Sequence, residues 1–511
     1  MKTALSDRQA STTSTQSVAD SEALNDESCY RALTAKDSRF DGVFFVGVST
    51  TGIYCRPICC AKTPRPSSCT FYASAAAAEA AGFRPCLRCR PELAPYALQQ
   101  NLAYAVWQRI AAGALNHNGD DGGGLERLAV EVGLSSRQLR RVLLQHFGVT
   151  PIELAQTQRL LFAKKLLQET NLSMTTLADA AGFGSVRRFN ALFSARYGLA
   201  PTALRRQRGR SEKVSAQDAI TVRLAYRPPF AWEKMLTYLQ RRLIAGVESV
   251  QLDQTGPAYL RSIRIDNVSG WLRVTHLAKQ RQLELDVAPS LAPMLMPLLA
   301  RLRNQFDLDA NPALIAAHLR LDPGLADLLD AQPGIRVPGT FAPFELAVRA
   351  ILGQQVSVAG ATTLTARLVH RFGALAETPF PTVTHHFPEA SALAVLPASE
   401  LARIGIPTSR AETVRNMAQY AAEGKLQIKP GAGLDETIAQ LTSIAGIGSW
   451  TAHYIALRAL RFPDAFPAGD LGLQKALAGT GGRLTEKQLA AMARPWAPWR
   501  GYAALLLWNA L

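Results

Sequence analysis

Six of the chain's seven cysteines fall between Cys55 and Cys89. Cys55 and Cys59 are four residues apart and Cys86 and Cys89 three, each spacing short enough for one tight loop. Between the pairs, the residues read as a turn, a short strand and an Ala-rich helix. Four thiolates arriving as two close pairs suit a tetrahedral zinc site. No cysteine follows Cys89, so the chain keeps all its sulfur chemistry in a specialised module within its first ninety residues. At 511 residues the chain is too long for one core, and three or four domains are expected.

The formal charge is +16. Residues 125–215 carry 15 Lys/Arg against 6 Asp/Glu, and residues 29–95 carry 9 against 4. Positive charge gathered in compact segments points to a polyanionic partner, most simply double-stranded DNA. Residues 1–28 are polar, lack an apolar signal core and read as a disordered leader. No apolar run is long enough to cross a bilayer, so no membrane partner is expected. The expected location is inside the cell, in the cytoplasm. A reducing compartment favours metal-binding or reactive cysteines over disulfides.

In the module spanning 29–95, Val43–Val48 reads as a strand, Phe71-Tyr72 opens a second, and 73–82 is a helix ending at Gly82. The runs TTGIYCRPICCAK and FYASAAAAEAAGFRPCLRCRP resemble the N-terminal zinc domain of the Ada family of adaptive-response proteins. The resemblance implies one zinc bound by Cys55, Cys59, Cys86 and Cys89. It also implies that Cys55 irreversibly accepts a methyl group from DNA methyl phosphotriesters. The chemistry is sound on its own terms: four thiolates on Zn²⁺ carry a net charge of −2, and methylating one removes a negative charge beside the DNA backbone. Arg56, Lys62 and Arg84 flank the cysteines and are expected to hold phosphates. Cys29, Cys60 and Cys69 are expected to be spare thiols.

Residues 96–207 are expected to form a DNA-binding unit. An apolar helix over 96–115 is followed by a linker at 116–124 and then an internal repeat. The pattern Leu128-Ala129…Gly133…Leu139…Phe147-Gly148…Pro151 returns as Leu177-Ala178…Gly182…Phe189…Tyr197-Gly198…Pro201. Each copy is a helix, a turn needing positive φ at glycine and a second basic helix. A long helix near 153–170 joins them. Arg137, Gln138, Arg140 and Arg141 in one copy, and Arg187, Arg188 and Asn190 in the other, suit a major groove. The second copy resembles the AraC-family DNA-binding domain. Residues 208–217 read as a linker.

Residues 218–335 alternate apolar and polar positions in four stretches, as half-exposed antiparallel strands do, with helices at 231–245 and from 291. No catalytic constellation is evident there, and the region resembles the N-terminal domain of AlkA-type 3-methyladenine DNA glycosylases. Residues 336–511 are helical and contain Gly446-Ile447-Gly448 between two helices, the pattern of a helix-hairpin-helix that presents backbone N–H groups to a phosphate. Asp470 follows Trp450 by twenty residues. Hairpin and aspartate together resemble the helix-hairpin-helix glycosylase superfamily. That resemblance implies Asp470 as the catalytic carboxylate, Trp450, Tyr454 and Trp508 as the base pocket, and Gln354 and Gln355 as the wedge filling the space of a flipped nucleotide. Leu471 and Gln355 depart from AlkA, which has tyrosine and leucine there.

Three absences narrow the reading. Trp450 stands where strand-nicking relatives carry a lysine, so base excision alone is expected. No cysteines remain for an iron–sulfur cluster. The Pro-Cys-His-Arg motif of Ada's second methyltransferase does not occur. The expected fold is multidomain and mainly α with α+β parts: a small zinc α/β domain, a double helix-turn-helix, an antiparallel-sheet α+β domain (218–335) and an all-α helix-hairpin-helix domain (336–511). The expected function joins a methyl-triggered transcription activator, with RNA polymerase as partner, to a monofunctional glycosylase for alkylated bases. The alternative is a regulator whose C-terminal half binds DNA without excising.

Overall fold

A computed structural model describes residues 25–95, 102–116, 123–207, 219–253, 256–426, 433–478 and 482–511. Residues 1–24, the linker at 208–217 and most of the linker at 116–124 lie outside these. Two linker or leader expectations need correction at their edges. Asp26–Thr34 is a helix capped by Asn25, whose Oδ1 accepts from Ser28 N at 2.8 Å, so the leader does not extend to residue 28. Gly123 and Gly124 open the helix Gly123–Glu131 instead of extending a linker.

The N-terminal module is built on a four-stranded sheet of order β3-β1-β2-β4, with β1 Phe45–Val48, β2 Ile53–Cys55, β3 Cys69–Tyr72 and β4 Arg84–Pro85. The expected strand at 43–48 is present in shortened form, and Phe71-Tyr72 closes its strand where it was expected to open it. β2 and β4 are three and two residues long, too short to show any alternation, and were not anticipated. They are the pair that matters. β2 runs parallel to β4 with Tyr54 opposite Pro85, and Cys86 N donates to Tyr54 O at 3.0 Å. Cys55 ends one strand and Cys86 follows the other, so the parallel pairing brings the two cysteine pairs side by side. Gly47 is required inside this sheet, because a Cβ there would stand 2.9 Å from the rings of both Phe83 and Tyr72.

The repeat forms two helix-turn-helix units: Gly123–Glu131 with Ser136–Phe147, and Met174–Ala180 with Val186–Tyr197. The connecting helix is Pro151–Glu169, started by a capping box between Thr150 and Glu153. Gly133 and Gly182 take φ of +70° and +78° at the equivalent turns. In the second helices Leu139, Leu143 and Phe147, and Phe189, Phe193 and Tyr197, face inward at helical spacing, leaving the basic side chains outside.

The next region is an antiparallel sheet of order β5-β9-β8-β7-β6: β5 Ile220–Ala225, β6 Glu248–Asp253, β7 Gly256–Ile265, β8 Val268–Leu277 and β9 Gln282–Val287. β6 is the strand the sequence pattern missed. It is an edge strand whose Leu252 is exposed, so its alternation does not mark a buried face. One continuous apolar core joins Phe189 and Phe193 of the second helix-turn-helix to Val222, Leu285 and Leu298 of the sheet region. The helical region behind it has its own core, which also takes in Tyr238 and Val247. Buried Arg261 on β7 pairs with Glu248 and with Glu345 of helix Pro343–Leu352, fastening sheet to helices. Removing one partner of such a pair costs about 3–5 kcal/mol.

Candidate metal centre and nucleic-acid sites

The Sγ atoms of Cys55, Cys59, Cys86 and Cys89 lie within 4.8 Å of one another. A tetrahedral zinc with Zn–S bonds of about 2.3 Å requires sulfurs roughly 3.8 Å apart, so the donor set and its spacing fit one zinc ion. Cys59 and Cys86 are buried, whereas Cys55 and Cys89 are half-buried. Cys89 Sγ accepts the peptide N–H of Arg56 at 3.4 Å. Cys55 opens instead on a cavity of about 490 Å³ bounded by Val46, Ile53, Lys62, Arg84, Tyr197 of the second helix-turn-helix and Leu204 of the helix Pro201–Gln207 that follows it. Cys29 is buried away from the cluster, Cys60 is exposed, and Cys69 bonds the carbonyl of Arg65.

Of the three expected phosphate-holding cations beside the cysteines, Lys62 and Arg84 are exposed. Arg56 is not: it is only 7% exposed and its guanidinium grips the Asp41 carboxylate and the Cys89 carbonyl. The sequence neighbourhood suggested a DNA contact, but the side chain points into the fold. Arg137, Arg140, Arg141, Arg187, Arg188 and Asn190 all lie exposed on the outer faces of their helices. Gln138 is exposed too, but its Oε1 closes the capping box with Ser135, which leaves only its amide N–H groups for a base.

In the C-terminal region, helix Leu434–Thr442, the Gly446–Gly448 turn and helix Ser449–Arg458 form the expected hairpin. Gly446 sits at φ +91°, and a Cβ there would lie 1.9 Å from Thr413 Oγ1. Gly446→Ala is therefore expected to cost about 1–3 kcal/mol, read as a lower melting temperature together with weaker anisotropy-measured binding to plain duplex DNA. Gln354 and Gln355 do not act alike. Gln354 Nε2 donates to Gly446 O and Thr451 Oγ1, both at 3.1 Å, and Arg410 donates to its carbonyl at 2.8 Å. It fastens the preceding loop to the hairpin and is not free to intercalate. Gln355 stands exposed at φ +56°, beside the exposed Val356 and Val358. Of the pair, Gln355 is the one whose side chain is exposed.

Asp470 caps helix Leu471–Ala476 through Leu473 N at 3.0 Å, and it does more. Its Oδ2 accepts from Trp450 Nε1 at 3.0 Å and its Oδ1 from Trp508 Nε1 at 3.2 Å. The Trp450 and Tyr454 rings stack at 5.2 Å and 13°, and Trp508 meets Tyr454 edge-on at 6.3 Å. One carboxylate and three aromatic rings thus share a single site. Three arginines converge on Tyr454: Arg458 donates to its hydroxyl, and Arg242 and Arg349 stand close by. Burial opposes ionisation of the Tyr454 phenol, but these cations outweigh it and bring the pKa down to about 8. Arg242 also lies 3.9 Å over Tyr238, and both belong to the sheet region, which on sequence had no role at the site. Arg458 was discoverable, being one helical turn beyond Tyr454 and two beyond Trp450. Arg242 and Arg349 come from other segments and carry no such signal.

Four family matches run along the chain in order. Residues 28–92 match the metal binding domain of Ada, 128–207 a helix-turn-helix domain, 221–342 the AlkA N-terminal domain, and 348–499 the HhH-GPD superfamily of base excision DNA repair proteins. The "Probable bifunctional transcriptional activator/DNA repair enzyme AlkA" of Mycobacterium tuberculosis is 38% identical over 95% of this chain and 96% of its own length. DNA-3-methyladenine glycosylase 2 of Escherichia coli is 33% identical over 56% of this chain and 95% of its own. The bifunctional transcriptional activator/DNA repair enzyme Ada of E. coli is 36% identical over 31% of this chain and 43% of its own. One zinc is held in the N-terminal domain, and DNA is the partner of the helix-turn-helix and hairpin regions. With 38% identity across nearly its whole length, the chain belongs to the AlkA family of bifunctional transcriptional activator/DNA repair enzymes.

Proposed function

We propose that the chain carries two separate chemistries on alkylated DNA. In the C-terminal half it excises alkylated bases of the 3-methyladenine type by hydrolysis of the N-glycosidic bond. The observation that carries this reading is the Asp470 carboxylate, held by two indole N–H groups beside a stacked aromatic pair. A flipped cationic base stacks against Trp450, Tyr454 and Trp508. As its bond to the sugar breaks, the deoxyribose gains oxocarbenium character, which the Asp470 carboxylate stabilises while orienting the attacking water. Gln355 occupies the vacated stack, and the backbone at Gly446 and Gly448 holds the phosphate. Trp450 provides no amine, so the product is an abasic site with an intact strand.

In the N-terminal half, Cys55 Sγ attacks the methyl carbon of a DNA methyl phosphotriester in line. The C–O bond breaks, its electron pair stays on the phosphate, and the thioether is permanent. Zinc, when bound, keeps the cysteines as thiolates. Cys59, Cys86 and Cys89 remain ligands, while Lys62 and Arg84 hold neighbouring phosphates. Loss of one negative charge strengthens DNA binding through Arg137, Gln138, Arg140, Arg141, Arg187, Arg188 and Asn190. The protein so bound recruits RNA polymerase and works at the nucleoid. The units are the zinc domain 25–95, the double helix-turn-helix 96–207, the α+β domain 218–335 and the glycosylase domain 336–511.

Incubation with methylated duplex DNA tests both halves at once. The expected products are free 3-methyladenine, abasic but unnicked strands, and protein carrying one methyl on Cys55 by mass spectrometry. Absence of the free base would leave a DNA-binding regulator only, and an unmodified Cys55 would remove the sensor.

A further inference from the structure

The loop at residues 39–42 of the zinc domain is held from the far half of the chain. Asn311 Nδ2 donates to Arg39 O at 3.0 Å. Arg227, which follows β5, donates through Nη2 to Asp41 O at 2.5 Å. Arg227 is only 3% exposed; its Nη1 donates to Asp309 O at 2.6 Å, and its own carbonyl takes Arg336 Nη2. The approach is close: at Gly42, φ +79°, a Cβ would stand 1.7 Å from Pro95 O and 3.5 Å from Arg227 Nη2. Asp41 is also held from the other side, since its carboxylate takes both Nε and Nη2 of Arg56, the former at 2.8 Å. Arg56 in turn gives its peptide N–H to Cys89 Sγ at 3.4 Å and its Nη1 to Cys89 O at 3.1 Å. A line of direct bonds therefore runs from the glycosylase half to a zinc-site sulfur: Arg227, Asp41, Arg56, Cys89.

The last bond has a chemical consequence. A thiolate that accepts an N–H shares its charge with the donor and is a weaker nucleophile than one that does not. Cys55 and Cys89 are the two half-buried cysteines of the cluster, the other two being buried, and so the two nearest to competing for a methyl group. The hydrogen bond to Cys89 separates them. Its geometry depends on where Arg56 sits, and Arg56 sits where Asp41 and Arg227 hold it. Placing the Arg227 guanidinium in a buried site is costly unless its partners are fixed, and here the carbonyls of Asp41, Pro95 and Asp309 that it bonds are all main-chain atoms.

We propose that Arg227 is a positioning residue for the methyl-acceptor centre, acting through Asp41 and Arg56 to keep Cys89 quiet and Cys55 reactive. This rests on the reading of Cys55 as methyl acceptor. The transfer itself is unchanged: a C–S bond forms at Cys55 as the methyl C–O bond breaks and the phosphodiester leaves with the electron pair.

The test uses the full chain and a duplex oligonucleotide bearing a single methyl phosphotriester. Arg227→Met and Asp41→Asn are each expected to lower the Cys55-to-Cys89 ratio of recovered methyl about ten-fold, the scale of second-layer partners of metal ligands. Arg227→Lys recovers most of the wild-type ratio. The double variant is expected to shift the ratio no further than the larger single shift, because both act through Arg56. Zinc content and release of 3-methyladenine are measured alongside. Arg227→Met with all methyl on Cys55 overturns the proposal, as does a multiplicative shift in the double variant. If Arg227→Met loses zinc, Arg227→Gln decides: methyl on Cys89 supports the proposal, and all methyl on Cys55 overturns it. A wild-type protein left unmethylated at Cys55 overturns the parent reading, and the proposal falls with it.

Discussion

Asp470→Asn is expected to lower the rate of 3-methyladenine release by about 10²–10³-fold while leaving the fold in place. The substitution keeps the volume and the helix cap, since an amide oxygen still accepts from Leu473 N. It removes the charge that the breaking glycosidic bond requires. It also confronts one of the two indole N–H groups with an amide N–H₂, because Oδ1 and Oδ2 each accept from a different tryptophan. The ring that loses its acceptor shifts, so affinity for DNA containing a flipped base falls along with the rate. Single-turnover release of the free base gives the rate, and calorimetry gives the melting temperature. Methyl uptake at Cys55 serves as an internal control and is expected to be unchanged. A variant that still releases base within about three-fold of wild type would show that this carboxylate does not carry the chemistry.

What could be read without the structure was what chemistry repeats or spaces in a line. The cysteine pairs, the glycines of the duplicated turn and the Gly-x-Gly hairpin followed by Asp470 are all local patterns. Their spacing reflects helix and turn geometry that short stretches of chain impose by themselves. The rest depended on what tertiary packing does with an individual side chain. Arg56 sits beside Cys55 in sequence, yet it is turned inward by Asp41, which lies fifteen residues upstream on another loop. Gln354 and Gln355 are adjacent and chemically the same, but one fastens the hairpin and the other meets solvent. Nothing in composition separates them; the positive φ at Gln355 does. β2 and β4 escaped notice because two or three residues cannot show a period. The arginines under Tyr454 come from three segments of two regions, so no single stretch contains the pocket. The duplicated turns were easy for the opposite reason, since one pattern seen twice reports its own register.

Cys55→Ser is expected to abolish methyl uptake entirely while leaving base excision intact. Serine keeps the size of the side chain but is a far weaker nucleophile at neutral pH and a poor zinc ligand, so reactivity and one metal bond are lost together. Three cysteines remain, two of them buried, and zinc is expected to be held more weakly and to be lost first to a chelator. The larger effect lies in DNA binding. With four thiolates on Zn²⁺ the wild-type centre carries a net charge of −2, which methylation reduces to −1. At an effective dielectric near 20, one unit charge about 7 Å from a phosphate is worth roughly 2 kcal/mol, about thirty-fold in affinity before screening. Wild-type protein preincubated with methyl phosphotriester DNA is therefore expected to bind its promoter roughly ten-fold more tightly in moderate salt. Cys55→Ser is expected to show no such increase, whatever its starting affinity. Measuring affinity before and after methylation, across a salt series, separates this from a general loss of folding: a misfolded variant binds poorly in both states, whereas a folded one that cannot be methylated binds the same in both. A methyl group recovered on any other cysteine of Cys55→Ser, accompanied by tighter binding, would move the acceptor role away from Cys55.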